Sequence, residues 1–283
     1  MIVWNDFTPG SYRVTCAHCG KAPRDKTCGV TVLDGEHGVA HCFRCGYVET
    51  RRAERELTPA ERQALARRLD ALRSDHDAEQ RQRQADAAAA AAVRWAAAVP
   101  AADHPYLQRK AVQAHGLRVE ARHTLLVPMR DTTGELRSLQ SIAPDGTKRF
   151  MPGGRVKACY HGIGKPSGRL VVCEGYATGA TLHEETGHAV AVAFNAANLL
   201  PVAQALRAKF PRIALVVASD DDWQTEGNPG LTAATEAARA IGGRLAVPDF
   251  TGYDRSNKDT DFNDLQRLHA CDRSAQPPEL QAH

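Results

Sequence analysis

The side chains best spaced for chemistry are three acids at the ends of two apolar runs. Leu170-Val171-Val172-Cys173 stops at Glu174-Gly175, and about forty residues later Ile213-Ala214-Leu215-Val216-Val217-Ala218 stops at Ser219-Asp220-Asp221-Asp222. Apolar runs of this length bounded by breakers predict buried parallel strands. Residues two apart in extended chain point the same way, so Asp220 and Asp222 offer two carboxylates on one side while Asp221 faces away. Helix-like segments separate the runs, which brings Glu174 and the Asp pair to the same carboxyl-terminal sheet edge, where open α/β sheets bind ligands. Converging anions repel one another unless a hard divalent cation joins them. Mg2+ takes carboxylate oxygens, keeps waters and completes its octahedron with substrate phosphate, so phosphoryl or nucleotidyl transfer is the expected chemistry. Asp-rich turns after strands also serve as helix caps and solvated loops. The pairing with Glu174 favours the metal site.

A second set has metal-ligand spacing. Cys16 and Cys19, then Cys42 and Cys45, form two CxxC pairs around a segment rich in turn formers. Two such knuckles fit a four-cysteine zinc ribbon, whose ion holds together a unit too small for its own core. The duplication argues against a redox pair. Cys28, His18, His37 and His41 are expected to be spectators, and Cys159, Cys173 and Cys271 packing residues. Arg13, Lys21, Arg24, Lys26, Arg44, Arg51 and Arg52 interleave with Tyr12, Phe43 and Tyr47. Such a surface suits single-stranded nucleic acid, by phosphate contacts and base stacking, and equally suits water alone.

Several elements must position these groups. Thr58-Pro59-Ala60-Glu61 carries a cap residue, a first-turn proline and a capping-box Glu, and Leu65, Leu69 and Leu72 follow at helical spacing. One or two exposed helices over residues 57–98 therefore link the ribbon to the rest, with no chemistry assigned. Leu125 to Arg130, Leu136 to Ile142 and Thr147 to Met151 read as antiparallel strands joined by turns. They lead into a glycine-rich basic patch with Lys148, Arg149, Arg155 and Lys157. Fixed cations there suit a triphosphate or a template backbone, and a solvated hairpin explains them as well. Beyond Glu174, Thr178 is expected to cap a helix through Glu185, His188 to Phe194 to form a strand, and Pro201 to open a helix closed by Pro211. A further helix spans Leu231 to Ile241, and a last strand Arg244 to Val247. Strand and helix alternation of this kind predicts a parallel sheet with right-handed crossovers.

The 283 residues carry 36 Lys and Arg against 33 Asp and Glu, a net charge of +3, which permits nucleic-acid binding without requiring it. That length allows about two domains. The amino terminus has no basic region followed by an apolar one. No apolar run approaches the roughly 18 residues of a membrane span. A cytoplasmic location with no membrane partner is expected, with thiols rather than disulfides.

Glu174-Gly175-Tyr176-Ala177-Thr178-Gly179-Ala180-Thr181-Leu182, Ala193-Phe194-Asn195-Ala196-Ala197-Asn198-Leu199 and Asp220-Asp221-Asp222 together resemble the Toprim domain. That module is shared by bacterial-type primases, type IA and II topoisomerases, some nucleases and recombination mediators, and the wording here is similar to primases of phages and plasmids. The resemblance implies that Glu174, Asp220 and Asp222 hold catalytic Mg2+ or Mn2+. It also implies a zinc ribbon that selects template. The run from Pro128-Met129-Arg130-Asp131 through Asp145-Gly146-Thr147-Lys148-Arg149-Phe150 to Gly153-Gly154 is similar to the segment before Toprim in those primases, which makes Lys148 and Lys157, then Arg149, nucleotide contacts. Asp259 and Asp261 are similar to a second pair of alternate acids that holds a further ion, and the same acids also suit the cap of a helix beginning near Asn263. Asn198, as a site-lining or a turn residue, and Lys258 complete the expected nucleotide- and template-contacting set.

The fold expected is α/β: a zinc ribbon over residues 1–52, a helical linker over 53–103, a small antiparallel basic β unit over 104–168, a Rossmann-like Toprim sheet over 169–270, and a disordered tail over 271–283. The function implied is DNA primase: short RNA primers made from ribonucleoside triphosphates on single-stranded DNA, with Mg2+ or Mn2+ and Zn2+. No GxxxxGK[ST] motif occurs, so a separate replicative helicase is the expected partner. A Toprim nuclease or topoisomerase-like enzyme, and a non-catalytic recombination-mediator-like DNA clamp, are the alternatives.

Overall fold

The computed structural model describes residues 2–19, 26–52, 56–255 and 258–275. Lys21 and Arg24 of the expected basic ribbon surface, and residues 276–283 of the expected tail, lie outside that set. The chain divides into two compact units, residues 1–79 and 80–283. The division falls inside one long helix rather than at either end of the expected linker.

The first unit is a four-stranded antiparallel sheet in sequence order: β1 (Gly10–Val14), β2 (Cys28–Val32), β3 (Gly38–Cys42) and β4 (Val48–Arg51). Its core is small, with Val30, Ala40, Cys28 and Cys42 all but inaccessible. Helix α1 (Pro59–Ala97) is one continuous helix of 39 residues. It starts as the sequence predicts: the Thr58 N–H donates to Glu61 Oε2 at 2.8 Å and the Glu61 N–H returns to Thr58 Oγ1 at 3.3 Å. Its far end departs from the expectation of an exposed linker. Ala87 and Ala91 are buried, and Ala91 packs with Ala98, Leu126 and Leu139. The alanine tract is thus a packing face, since only a small side chain lets a helix lie close to a sheet.

The second unit contains two five-stranded sheets. The first is antiparallel, in the order β5 (Val99–Pro100), β6 (Arg118–Glu120), β7 (Thr124–Arg130), β8 (Leu136–Ile142) and β9 (Lys148–Phe150), with the short helix α2 (Pro105–Lys110) after β5. In the second sheet β10 (His161–Ile163) is an antiparallel edge, and β12 (Ala189–Val192), β11 (Arg169–Cys173), β13 (Ala214–Ala218) and β14 (Arg244–Ala246) follow it across the sheet, all parallel. Helices α3 (Tyr176–Thr186), α4 (Ala196–Lys209) and α5 (Pro229–Ala240) are the crossovers, and α6 (Phe262–Ala275) follows β14.

Both faces of the parallel sheet are covered, which is why its strands read as unbroken apolar runs. Leu170 and Val172 face α4 and α5 with Val202, Leu206, Ala234 and Ala238, whereas Val171 and Cys173 face α3 and the antiparallel sheet with Ala177, Ala180, Val127 and Met129. Each fully buried Val contributes roughly 1.5–3 kcal/mol. Gly179 lets α3 lie on the sheet, because a Cβ there would meet Val192 Cγ2 at 2.7 Å.

Three local expectations change. The helix expected to open at Pro201 begins at Ala196, because the Asn195 side chain accepts the Asn198 N–H at 3.0 Å and nucleates it upstream. Thr178 does not cap α3; Gly175 holds the cap position and Thr178 lies buried in the first turn. The last helix continues through Ala275, five residues into the expected tail. Among the described residues no helix is long and apolar enough to cross a membrane.

Candidate functional site

In the first unit, Cys16 and Cys19 follow β1, Cys42 ends β3 and Cys45 precedes β4. Gly46, at φ 71°, supplies the left-handed turn of the second knuckle, and its N–H donates to the Cys42 carbonyl at 3.0 Å. The Cys16 and Cys45 sulfurs lie 3.7 Å apart, those of Cys19 and Cys42 3.9 Å, and all four fall within 4.8 Å of one another. Burial and the neighbouring sulfurs push Cys19 up to about 12, while the Cys45 N–H donating to its sulfur draws Cys42 down to about 6. Four crowded thiols are a donor set fit for Zn2+, which would take all four as thiolates. The nearby histidines have other partners. His18 stacks on Tyr47, His37 bonds Asp34 at 2.9 Å, and His41 meets the Phe43 edge. Phe43 is 63% exposed, with the Arg13 guanidinium 4.4 Å from its ring centre. Cys271, expected to pack, is instead exposed on α6.

In the second unit the acids collect at the carboxyl-terminal edge of the parallel sheet. Val172 of β11 pairs with Val217 of β13, so Glu174 and Asp220 leave adjacent strands within a residue or two of the same level. Three acids of this edge rest on helix amino termini. The Ala196 N–H at the start of α4 draws the Glu174 carboxyl down, the Gly230 N–H in α5 donates to Asp222 Oδ2 at 3.0 Å, and the Asp264 N–H in α6 donates to Asp261 Oδ1 at 2.8 Å. Each gains from the partial positive charge of a helix start. Asp220 has no such support: its Oδ1 is buried without a hydrogen-bond partner among the described residues. Burial first, then the charges of Asp261, Glu174 and Asp222, push its carboxyl up to about 8. Burial and neighbouring acids also raise Glu174 and Asp261.

This is an open set rather than a closed cage. The four cysteines are the one group of three or more ligands among the described residues whose donor atoms all lie within 4.8 Å. Mg2+ suits such a set, since it is commonly held by one or two carboxylates with water and substrate phosphate as the other ligands. The orphaned oxygen of Asp220 is what a cation would satisfy.

Lys148 is a cation that faces Glu174 and Asp220. Its ammonium stands 3.9 Å from where a Cβ on Gly175 would lie and 5.9 Å from the Tyr106 ring centre, and its charge draws Glu174 and Asp220 back down. Arg149, the alternate residue on edge strand β9, points to the other side, and Lys157 and Lys258 are exposed. Arg155 is spent on Asp131, at 3.6 Å.

Two expected site residues have structural partners. Asn198 is 3% exposed; its Oδ1 accepts the Ala158 N–H at 2.8 Å and its Nδ2 donates to the Cys159 and Ala193 carbonyls at 2.9 and 2.8 Å. With its polar atoms consumed it clamps the 158–159 turn to the end of β12 and is corrected from a nucleotide contact to a structural one. Asp259, 1% exposed, pairs with Arg267, while Asp261 is the member of the second acidic pair whose charge bears on Asp220.

Sequence reasoning missed two residues here. Gly230 has no room for a side chain, since a Cβ would lie 2.9 Å from both the Asp220 carbonyl and Asp222 Oδ2. Arg255 bonds Asp221. A Pro-Gly pair at a helix start was the only hint of the first, and nothing local marks the second.

Residues 169–272, which hold the parallel strands and the acidic edge, match the family model of the Toprim domain. Two Escherichia coli proteins, each described as DNA primase TraC, are 43% and 40% identical to this chain over 157 residues. The match takes in 52% of this chain but only 15% and 11% of those proteins, so the chain spans a small part of the relatives it matches. Among solved structures, the primase fragment of the bacteriophage T7 primase-helicase protein is 15% identical with a TM-score of 0.44, covering 93% of this chain and 96% of that one. A DNA primase domain from Pseudomonas aeruginosa is 16% identical with a TM-score of 0.31, covering 50% of each chain.

Proposed function

We propose that this chain is a DNA primase that makes short RNA primers on single-stranded DNA by nucleotidyl transfer. The observation that carries the reading is Asp220, a carboxylate with a buried, partnerless oxygen set among three other acids and opposite Lys148. A site of this charge pattern wants a divalent cation and a polyphosphate. The identity with proteins described as DNA primase supplies the reaction class.

Glu174, Asp220 and Asp222 would hold Mg2+ or Mn2+, with Asp261 alongside. Bound there, the ions lower the charge on the attacking and leaving oxygens. In the reaction a primer 3′-hydroxyl oxygen bonds the α-phosphorus of a ribonucleoside triphosphate, the bond to the β-phosphate oxygen breaks, pyrophosphate leaves and the hydroxyl proton passes to solvent. Lys148 meets the triphosphate charge, and Arg149, Lys157 and Lys258 reach template or nucleotide from the surface. Asp259 is kept for its salt bridge with Arg267. The ribbon, with Arg13 over the exposed Phe43 ring, offers single-stranded template a base-stacking and phosphate-binding face. A separate replicative helicase would supply that template, in the cytoplasm where both substrates are found.

Incubating the protein with single-stranded DNA, labelled ribonucleotides and Mg2+ tests this. Labelled oligoribonucleotides are expected, and Asp220→Ala should abolish them. Nicked template or binding alone would replace the proposal with a nuclease or a DNA clamp, and normal synthesis by Asp220→Ala would remove the site from the chemistry.

A further inference from the structure

The middle acid of Asp220-Asp221-Asp222 faces away from the cluster and has a partner of its own. Arg255 Nη1 donates to Asp221 Oδ2 at 2.7 Å and Nη2 to the Asp221 carbonyl at 3.0 Å. The same guanidinium donates through Nε and Nη2 to the Asp259 carbonyl, at 2.9 and 2.7 Å. Phe250 and Trp223 flank it, with ring centres 4.1 and 5.0 Å away, and its side chain is 18% exposed. Asn228 Nδ2 donates to the other Asp221 oxygen at 2.6 Å, and the Asp221 N–H donates to the Thr260 carbonyl at 2.8 Å.

These bonds join two loops. Residues 219–228 carry Asp220 and Asp222; residues 247–255 carry Arg255, and residues 258–261 carry Asp259 and Asp261. The loops bring like charges together, so they would separate if nothing opposed the repulsion. A planar fork with donors along two edges can hold a carboxylate and two carbonyls at once, whereas an ammonium cannot fix that geometry. We propose that Arg255 is a positioning residue that clasps the two acidic loops, through Asp221, and so limits how far they can separate around a divalent cation. The inference rests on the reading of Glu174, Asp220 and Asp222 as a cation centre. It adds that a cation meets loops whose separation is already restrained, so less of its binding free energy goes into drawing the acids together. Partners that orient ligating carboxylates commonly contribute 10- to 100-fold to metal affinity.

The test uses the full, zinc-loaded chain and Mn2+ itself, with bound and free ion distinguished by electron paramagnetic resonance. Arg255→Ala should weaken Mn2+ binding by about tenfold or more, Arg255→Lys by a smaller factor, and Asp221→Asn by less than Arg255→Ala. The double variant should bind no more weakly than Arg255→Ala alone, because both changes break one clasp. Arg255→Lys keeps the charge and decides the matter if Arg255→Ala fails to fold. If the Arg255 variants are folded and bind Mn2+ as tightly as the parent, while Asp220→Ala does not, the clasp is only a structural staple. If Asp220→Ala itself leaves Mn2+ binding unchanged, the cation centre falls and this inference with it.

Discussion

Replacing Asp220 by Asn removes a charge that the second unit accommodates only against burial and the repulsion of three other acids. The carboxyl is raised from 3.8 to about 8. A raised acid costs nothing below its unfolded value, progressively destabilises the fold as pH climbs from there to the folded value, and adds no more above it. Each pH unit in that window is worth about 1.4 kcal/mol, so without a divalent ion the parent should carry a penalty of about 4 kcal/mol at pH 7. Part of that repulsion is released when Glu174 or Asp261 takes up a proton instead, which lowers the expected gain in Asp220→Asn to about 2–4 kcal/mol at pH 8. For a unit of this size that is a rise of about 5–15 °C in melting temperature. At pH 4 the gain should nearly vanish. Any hydrogen bond the amide loses is lost at both pH values and cancels in the difference. Melting the zinc-loaded protein in metal-free buffer from pH 4 to 8 reads this directly, and added Mg2+ should stabilise the parent more at pH 8 than at pH 5 while doing little for the variant. An Asp220→Asn effect that is the same at pH 4 and pH 8 would refute the crowded-acid account.

Other outcomes follow from the same geometry. Cys42→Ser, or zinc removal by a chelator, should unfold residues 1–52, since structural zinc commonly supplies about 10–16 kcal/mol of folding free energy; zinc content and far-ultraviolet circular dichroism report it. Lys148→Ala should lower primer synthesis by about a hundredfold, with a raised KM for ribonucleotides, because it removes a positioned cation facing the triphosphate. Asn198→Ala should destabilise the second unit by about 2–4 kcal/mol through its lost buried hydrogen bonds, with no change in the salt dependence of template binding. Gly230→Ala should lower the melting temperature of the second unit and cut kcat as well, because a methyl 2.9 Å from the Asp220 carbonyl can be relieved only by moving the loop that carries Asp220 and Asp222.

The sequence by itself determined the features that depend on neighbours along the chain. Unbroken apolar runs such as Leu170 to Cys173 announce strands covered on both faces, the spacing of Cys16, Cys19, Cys42 and Cys45 announces a tetrahedral site, and Thr58 with Glu61 marks the start of α1. The tertiary structure alone decided which of several equivalent residues meets which partner. Asp259 and Asp261 have the same local pattern, yet one pairs with Arg267 and the other faces Asp220. Asn198 is polar and follows a strand, as a ligand-binding residue might, but the Ala158 turn forty residues earlier closes over it. Asp221 is kept out of the cluster by Arg255, 34 positions away. Periodicity and propensity fix where the backbone bends and which face is apolar, whereas the partner of a buried charge is chosen by whatever segment the fold brings within about 3 Å, and no local pattern records that.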